Sequence, residues 1–239
     1  MPEVPTLLEM LKSGVHFGHQ TSRWHPKMKP YIFTQRNGIH IINLEETQAK
    51  LKEAVDFIRK TVQNGGVILF VGSKKQAQSI IERHAKDCGM PYVTERWLGG
   101  TMTNFSVILK LIRKLKDLKK KSEKGELEKY TKKEQLEFKR EIEKLEKSIG
   151  GIQYMEKIPE AIFILDIKKE KTAFEEAKKR RIKIIAVCDT NVNPKDVDYI
   201  IPGNDDATKS IELIVGFISE SIKEAKELSK AGEIEVDLR

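Results

Sequence analysis

Histidines, carboxylates and lysines are the chemistry-bearing residues of this chain, and their spacing decides what that chemistry could be. The five histidines are His16, His19, His25, His40 and His84. His16 and His19 could sit on one face of a turn and bind a metal, or each could bond a neighbouring backbone group. Acidic residues close several apolar runs: Asp166 follows 161–165, Asp189 follows 184–188, and Asp205 and Asp206 follow Ile201-Pro-Gly-Asn204. In parallel sheets, ligands gather outside such carboxyl ends of strands. The loops holding Asp189 and Asp205 should lie close together there, with the N-terminal segment carrying His16 laid across them. His16, Asp189 and Asp205 would then form an open set of hard-to-borderline donors suited to a structural Zn²⁺ or Mg²⁺, with water completing the shell. The competing picture has Asp205 or Asp206 capping the last helix and His16 bonding a carboxylate without metal. Either role is structural rather than catalytic.

No arrangement joins a nucleophile to its base. The G-x-S-x-G elbow and the H-E-x-x-H pair are both absent. Gly72-Ser-Lys-Lys75 resembles the end of a phosphate loop, but Val67 stands where the first glycine is needed and Ser73 where the lysine is needed. No G-x-G-x-x-G follows either long apolar run. A metal- or nucleotide-dependent enzyme therefore has little in the chain to rest on. Cys88 and Cys188 show no C-x-x-C spacing, which leaves neither a disulfide framework nor a zinc ribbon. A cytoplasmic, thiol-reducing setting is the expectation. No apolar run approaches the ~18 residues of a membrane span, and the opening Met-Pro-Glu-Val-Pro has no secretory signal pattern.

The segment Thr21-Ser-Arg-Trp-His-Pro-Lys-Met-Lys-Pro30 points to a different chemistry. Its two prolines predict an extended strip. Arg23, Lys27 and Lys29 could follow a phosphate backbone while Trp24 stacks a base; the alternative is a surface arm packed on its own domain. Arg96-Trp97-Leu-Gly-Gly-Thr101 repeats the mixture, with Arg96 as the cation and Trp97 read as core.

These residues need a frame. Apolar spacing predicts helices over 45–63, 75–87, 170–181 and 206–229, and continuous apolar runs predict buried strands at 67–71, 161–165 and 184–188, with a shorter one at 197–201. Alternating strands and helices imply a doubly wound α/β fold with a parallel sheet, of flavodoxin or Rossmann type.

Between 105 and 150 that alternation stops. Ile108, Leu111, Leu115 and Leu118, then Phe138, Ile142, Leu145 and Ile149, recur at a/d spacing. Gly125 would end the first helix, Thr131-Lys-Lys-Glu134 is a capping box for the second, and Gly150-Gly151 would stop it. The expectation is an inserted antiparallel coiled-coil hairpin over 105–150, with the α/β domain made of 1–104 and 151–239. Charge concentrates there. Residues 106–150 hold 15 Lys/Arg and 9 Asp/Glu, a net +6 of the chain's +8. Lys110, Arg113, Lys114, Lys119, Lys120 and Lys121 lie beside the seam and should face outward, either on phosphates or as a solvated face.

Long motifs in order then carry a resemblance. Leu11-Lys-Ser-Gly-Val-His-Phe-Gly-His-Gln20, Arg23-Trp24, Pro26-Lys-Met-Lys-Pro-Tyr-Ile-Phe33 and Arg36-Asn-Gly-Ile-His-Ile-Ile42 closely resemble the opening of the small-subunit ribosomal protein S-two family, bacterial type. Arg96-Trp-Leu-Gly-Gly-Thr101, Thr103-Asn-Phe105, Lys144-Leu-Glu-Lys-Ser-Ile-Gly-Gly151, Asp189-Thr-Asn191, Val197-Asp-Tyr199 and Ile201-Pro-Gly-Asn-Asp-Asp-Ala207 match later parts of that family. His25, Lys183 and Asn193 depart from its usual residues, at surface or strand-entry positions. The resemblance implies a non-catalytic structural component of the small ribosomal subunit, with a coiled-coil hairpin on an α/β domain. It implies binding to small-subunit rRNA near the head–body junction, and neighbours that include the large protein S-one. The RNA-contact set is then Arg23, Trp24, Lys27, Lys29, Arg36 and Arg96 with Lys110, Arg113, Lys114, Lys120 and Lys121 of the hairpin. The other use of such a fold is protein–protein contact outside the ribosome.

Overall fold

The computed structural model describes residues 3–237, with side chains described through Ser229. Thr6 and Glu9 start the first helix reciprocally: the Thr6 hydroxyl accepts the Glu9 amide and the Glu9 carboxylate accepts the Thr6 amide. That helix is α1 (Leu7–Lys12). Three short strands follow, β1 (Phe17–Gln20), β2 (Ile32–Arg36) and β3 (Ile39–Ile42), paired antiparallel in the order β1-β3-β2. Asn37 at φ 51° and Gly38 at φ 75° form the β2–β3 turn, because a two-residue hairpin needs left-handed backbone at both places. The extended strip expected at 21–30 is not seen. Tight 3-10 turns occupy Thr21–Arg23 and Pro26–Tyr31 instead. Pro26 explains the difference, since at the first position of a helical turn its missing N–H is not needed and its fixed φ fits. His25 Nδ1 accepts the Lys27 amide at 3.3 Å and completes the start of that turn.

The remaining elements alternate. They are α2 (Leu44–Gln63), β4 (Ile68–Val71), α3 (Gln78–Asp87), β5 (Tyr92–Val93), α4 (Phe105–Glu123), α5 (Lys132–Ile149), β6 (Ala161–Ile164), α6 (Lys171–Arg180), β7 (Lys183–Cys188), β8 (Tyr199–Pro202) and α7 (Thr208–Asp237). The five later strands form a parallel sheet ordered β5-β4-β6-β7-β8. In this doubly wound order, chain direction across the sheet reverses between β4 and β6, and a crevice opens beyond their carboxyl ends.

Strand pleating splits the core into two layers. Ile68, Phe70, Phe163, Ile185 and Val187 face a cluster with Leu51 and Ile58 of α2, Ile81 of α3, and Ile214 and Ile218 of α7. Leu69, Val71, Ile162, Ile164 and Ala186 face the other cluster, with Phe174 of α6, Met28 of the arm and the base of α4. No helix among the described residues is long and apolar enough to cross a membrane.

The two helices between β5 and β6 carry the expected caps. The Thr131 hydroxyl accepts the Glu134 amide, and Gly125 takes φ +70° just past α4. Ile108, Ile112, Leu115 and Leu118 are the buried stripe of α4, so Ile112 takes the buried place expected of Leu111, which is half-buried. Ile142 and Leu145 of α5 pack against the same cluster. Lys119 pairs with Glu146 at 2.5 Å and Lys114 with Glu141, joining the helices across their flanks.

Candidate nucleic-acid interface and the polar cluster at the strand ends

The crevice beyond β4 and β6 is occupied by the protein's own charges. Gly72-Ser73 leads the chain out of β4 and delivers Lys74, whose ammonium lies 2.9 Å from Asp166, 2.7 Å from Asp205 and 2.9 Å from Asp206. Asp166 follows β6, and its other oxygen accepts the amides of Lys168 and Lys169. Ser73 is held by Glu170, which accepts its amide at 2.7 Å and its hydroxyl at 2.5 Å. Lys74, one place past the position where a phosphate loop carries its lysine, thus neutralises carboxylates from two other loops.

Asp189 and Asp205 do meet, but the histidine between them is His19. Its Nδ1 lies 3.0 Å from Asp189 and its Nε2 3.4 Å from Asp206. His16 points elsewhere: its ring lies 4.0 Å from that of Phe17, and its buried Nδ1 has no hydrogen-bond partner. The reason is the strand. β1 begins at Phe17, so His19 lies in the strand while His16 closes the turn before it. The capping alternative is also corrected. Asn204 Oδ1, not Asp205 or Asp206, accepts the amides of Asp206 and Ala207 that lead into α7.

Burial and charge set the protonation of this cluster. Burial pushes the Asp205 carboxyl up to about 7, reinforced by the negative charges of Asp189 and Asp166 and opposed by Lys74. The hydrogen bond that His19 donates to the Asp189 carboxylate raises the imidazole above its ordinary value, against the effect of burial. For Lys74, burial disfavours the charge but is outweighed by Asp205, Asp206 and Asp166, so its ammonium is held firmly protonated. His16, by contrast, is lowered by burial. His19, Asp189, Asp205 and Asp206 bring ligand atoms within 4.8 Å of one another, the donor set a divalent ion would use. Lys74 already places a positive charge against two of those carboxylates.

The same cluster fixes the N-terminal arm. The His19 amide donates to the Thr190 hydroxyl at 2.9 Å, and the His25 amide to the Thr190 carbonyl at 2.7 Å. Gly18 is required at this crossing, because a Cβ there would fall 2.6 Å from the Thr190 methyl. Past the crossing, Arg23, Lys27 and Lys29 are exposed, and their charged ends make no ion pair among the described residues. Trp24 keeps 36% of its surface exposed, with its ring 5.1 Å from that of His40. Arg36 sits beside the β2–β3 turn, on a strand that also exposes Phe33.

A second buried carboxylate organises the loop before α4. Glu176 accepts the indole N–H of Trp97 at 3.1 Å and the amides of Gly100, Met102 and Thr103 at 2.7, 3.0 and 3.1 Å. Burial alone would raise its carboxyl, but these four donors and the Thr103 hydroxyl hold it below the usual range. Arg180 binds the same loop by donating to the carbonyls of Met102 and Thr103. Arg96 is exposed beside this fixed loop and Trp97 is core. Glu176 escaped the sequence reading because Glu175-Glu176 looks like any solvated helix face.

Along α4, Lys110, Arg113, Lys120 and Lys121 are exposed with no ion pair among the described residues. Lys114 is exposed too, but its charge is shared with Glu141. The arrangement offers fixed loops that hold exposed cations.

Comparison with known proteins agrees. Residues 10–225 match the family model described as Ribosomal protein S2. The chain is 52% identical to "Small ribosomal subunit protein uS2" of Francisella tularensis subsp. novicida (strain U112) over 229 residues, covering 96% of each chain. The same figures hold for the protein of that name from Francisella tularensis subsp. tularensis (strain WY96-3418).

Proposed function

The chain belongs to the ribosomal protein S2 family, and from that membership we propose that it binds small-subunit rRNA near the head–body junction and thereby supports translation. It is a structural protein of the small ribosomal subunit rather than an enzyme. The observation that carries the reading is 52% identity to uS2 across 96% of both chains. Arg23, Trp24, Lys27, Lys29, Arg36 and Arg96 form one contact set; Lys110, Arg113, Lys120 and Lys121 form another on an antiparallel coiled-coil arm. Lys114 contributes less, because Glu141 competes for its charge. In this reading 105–150 is the arm and 1–104 with 151–239 the α/β body. The protein works in the cytoplasm, within the ribosome, next to other small-subunit proteins that include the large protein S-one.

Sedimentation of the tagged full chain through a sucrose gradient tests this. Migration with small subunits is the expected result. A chain found only in lighter complexes with other proteins would point to a protein-contact role outside the ribosome.

A further inference from the structure

We propose that a groove between the N-terminal arm and the β7–β8 connection receives an unpaired stretch of RNA, bases against proline and tyrosine and phosphates against three lysines. The inference rests on the rRNA-binding reading and deepens it. Pro26, Pro30 and Tyr31 line one side of this groove of about 960 Å³, and Pro194, Val197 and Ile200 the other. Lys27 and Lys29 stand on the first bank and Lys195 on the second.

Charge selects the occupant. All three lysines are exposed, and their ammonium groups make no ion pair among the described residues. Of the three acids on the β7–β8 connection, Asp189 pairs with His19, and Asp196 and Asp198 are bound directly by lysines outside the groove. Asp196 binds Lys178 at 2.9 Å and Asp198 binds Lys183 at 2.6 Å. The charge of Asp196 is also felt by Lys195 and Lys27. Three exposed cations without a direct ion pair, set on both banks, suit a polyanion.

The walls select its form. The exposed Pro26 and Pro30 and the half-buried Tyr31, set among cations, match a single strand, whose bases are free to stack and whose phosphates recur alongside. A duplex keeps its bases inside and would leave Tyr31 unused. The groove is also preformed. Met28, between the two prolines, is fully buried in the core, and the His25–Thr190 backbone bond ties the arm to the opposite side. Little ordering is needed on binding.

Ultraviolet cross-linking of the full chain to small-subunit rRNA, with mass spectrometry of the linked peptides, tests the proposal beside salt-dependent affinities. Peptides carrying Tyr31 or Lys195 should be linked to RNA. Lys195→Ala, at an exposed position, should lower the slope of log affinity against log salt by about 0.7. Tyr31→Ala should weaken binding about tenfold, with Tyr31→Phe close to wild type. Links confined to Trp24 or α4, with Lys195→Ala unchanged, would overturn the groove and leave rRNA binding standing. Links from the groove to a neighbouring protein would overturn RNA as the occupant. Failure of the wild-type chain to bind rRNA would overturn both.

Discussion

Lys74 donates to the carboxylate of Asp205 across 2.7 Å, and that contact joins the loop after β4 to the loop after β8. Asp205 is 1% exposed and Lys74 14%, so water is a poor substitute for either partner. Removing one member of a buried pair leaves the other uncompensated, at a cost of roughly 3–5 kcal/mol. Lys74→Met should therefore lower unfolding free energy by about that much in urea titration, whereas Lys75→Met, at an exposed neighbour, should change it little. A loss below about 1 kcal/mol for Lys74→Met would mean the carboxylates relax into solvent.

The His19 contacts make stability depend on pH in a defined direction. His19 is raised above its ordinary 6.5, so the folded protein holds its proton more tightly than the unfolded chain. That contribution is complete below about pH 6.5 and is lost as pH rises through the folded value. Asp205, raised from 3.8 to about 7, acts in the same sense between those two values. The difference in Tm between wild type and His19→Gln should be largest near pH 6 and shrink by pH 8.5. A constant difference would show that His19 acts through neutral hydrogen bonds alone.

Glu176 gathers donors from Trp97, Gly100, Met102 and Thr103, so Glu176→Gln leaves one fewer acceptor for them and adds an amide among donors. A cost of about 1.5–3 kcal/mol is expected, the range for losing a hydrogen bond to a charged group. Faster amide exchange at Met102 and Thr103, with exchange in β6 and β7 unchanged, would locate the loss in this loop. Equal acceleration everywhere would show that Glu176 supports only global stability.

The cations of α4 divide into two kinds. Arg113, Lys120 and Lys121 make no ion pair among the described residues, while Lys114 is paired with Glu141. Each of the first three changed to Ala should reduce the salt slope of rRNA binding by nearly one unit if it sits on a duplex phosphate. Lys114→Ala should reduce it less. An unchanged slope in the triple variant would make this helix a solvated face or a protein-binding arm.

The central strands were legible because burial on both faces turns β4, β6 and β7 into continuous apolar runs. The N-terminal sheet was not, because β1 reads Phe-Gly-His-Gln and β2 is mostly exposed, so neither alternates. The Asn37-Gly38 pair between Phe33 and Ile39 was the available hairpin signal. In the polar cluster, the meeting of Asp189 and Asp205 followed from strand topology. Choosing His19 over His16 required knowing that a strand starts at Phe17, after the turn that holds His16. Lys74 was hidden because its partners come from loops far away in sequence.

Chemical footprinting of small-subunit rRNA, in particles assembled with and without this chain, tests the central claim most directly. The account predicts protection confined to rRNA near the head–body junction, weakened when Arg23, Lys27, Arg113 and Lys121 are changed together to Ala. Identical footprints with and without the wild-type chain would contradict it.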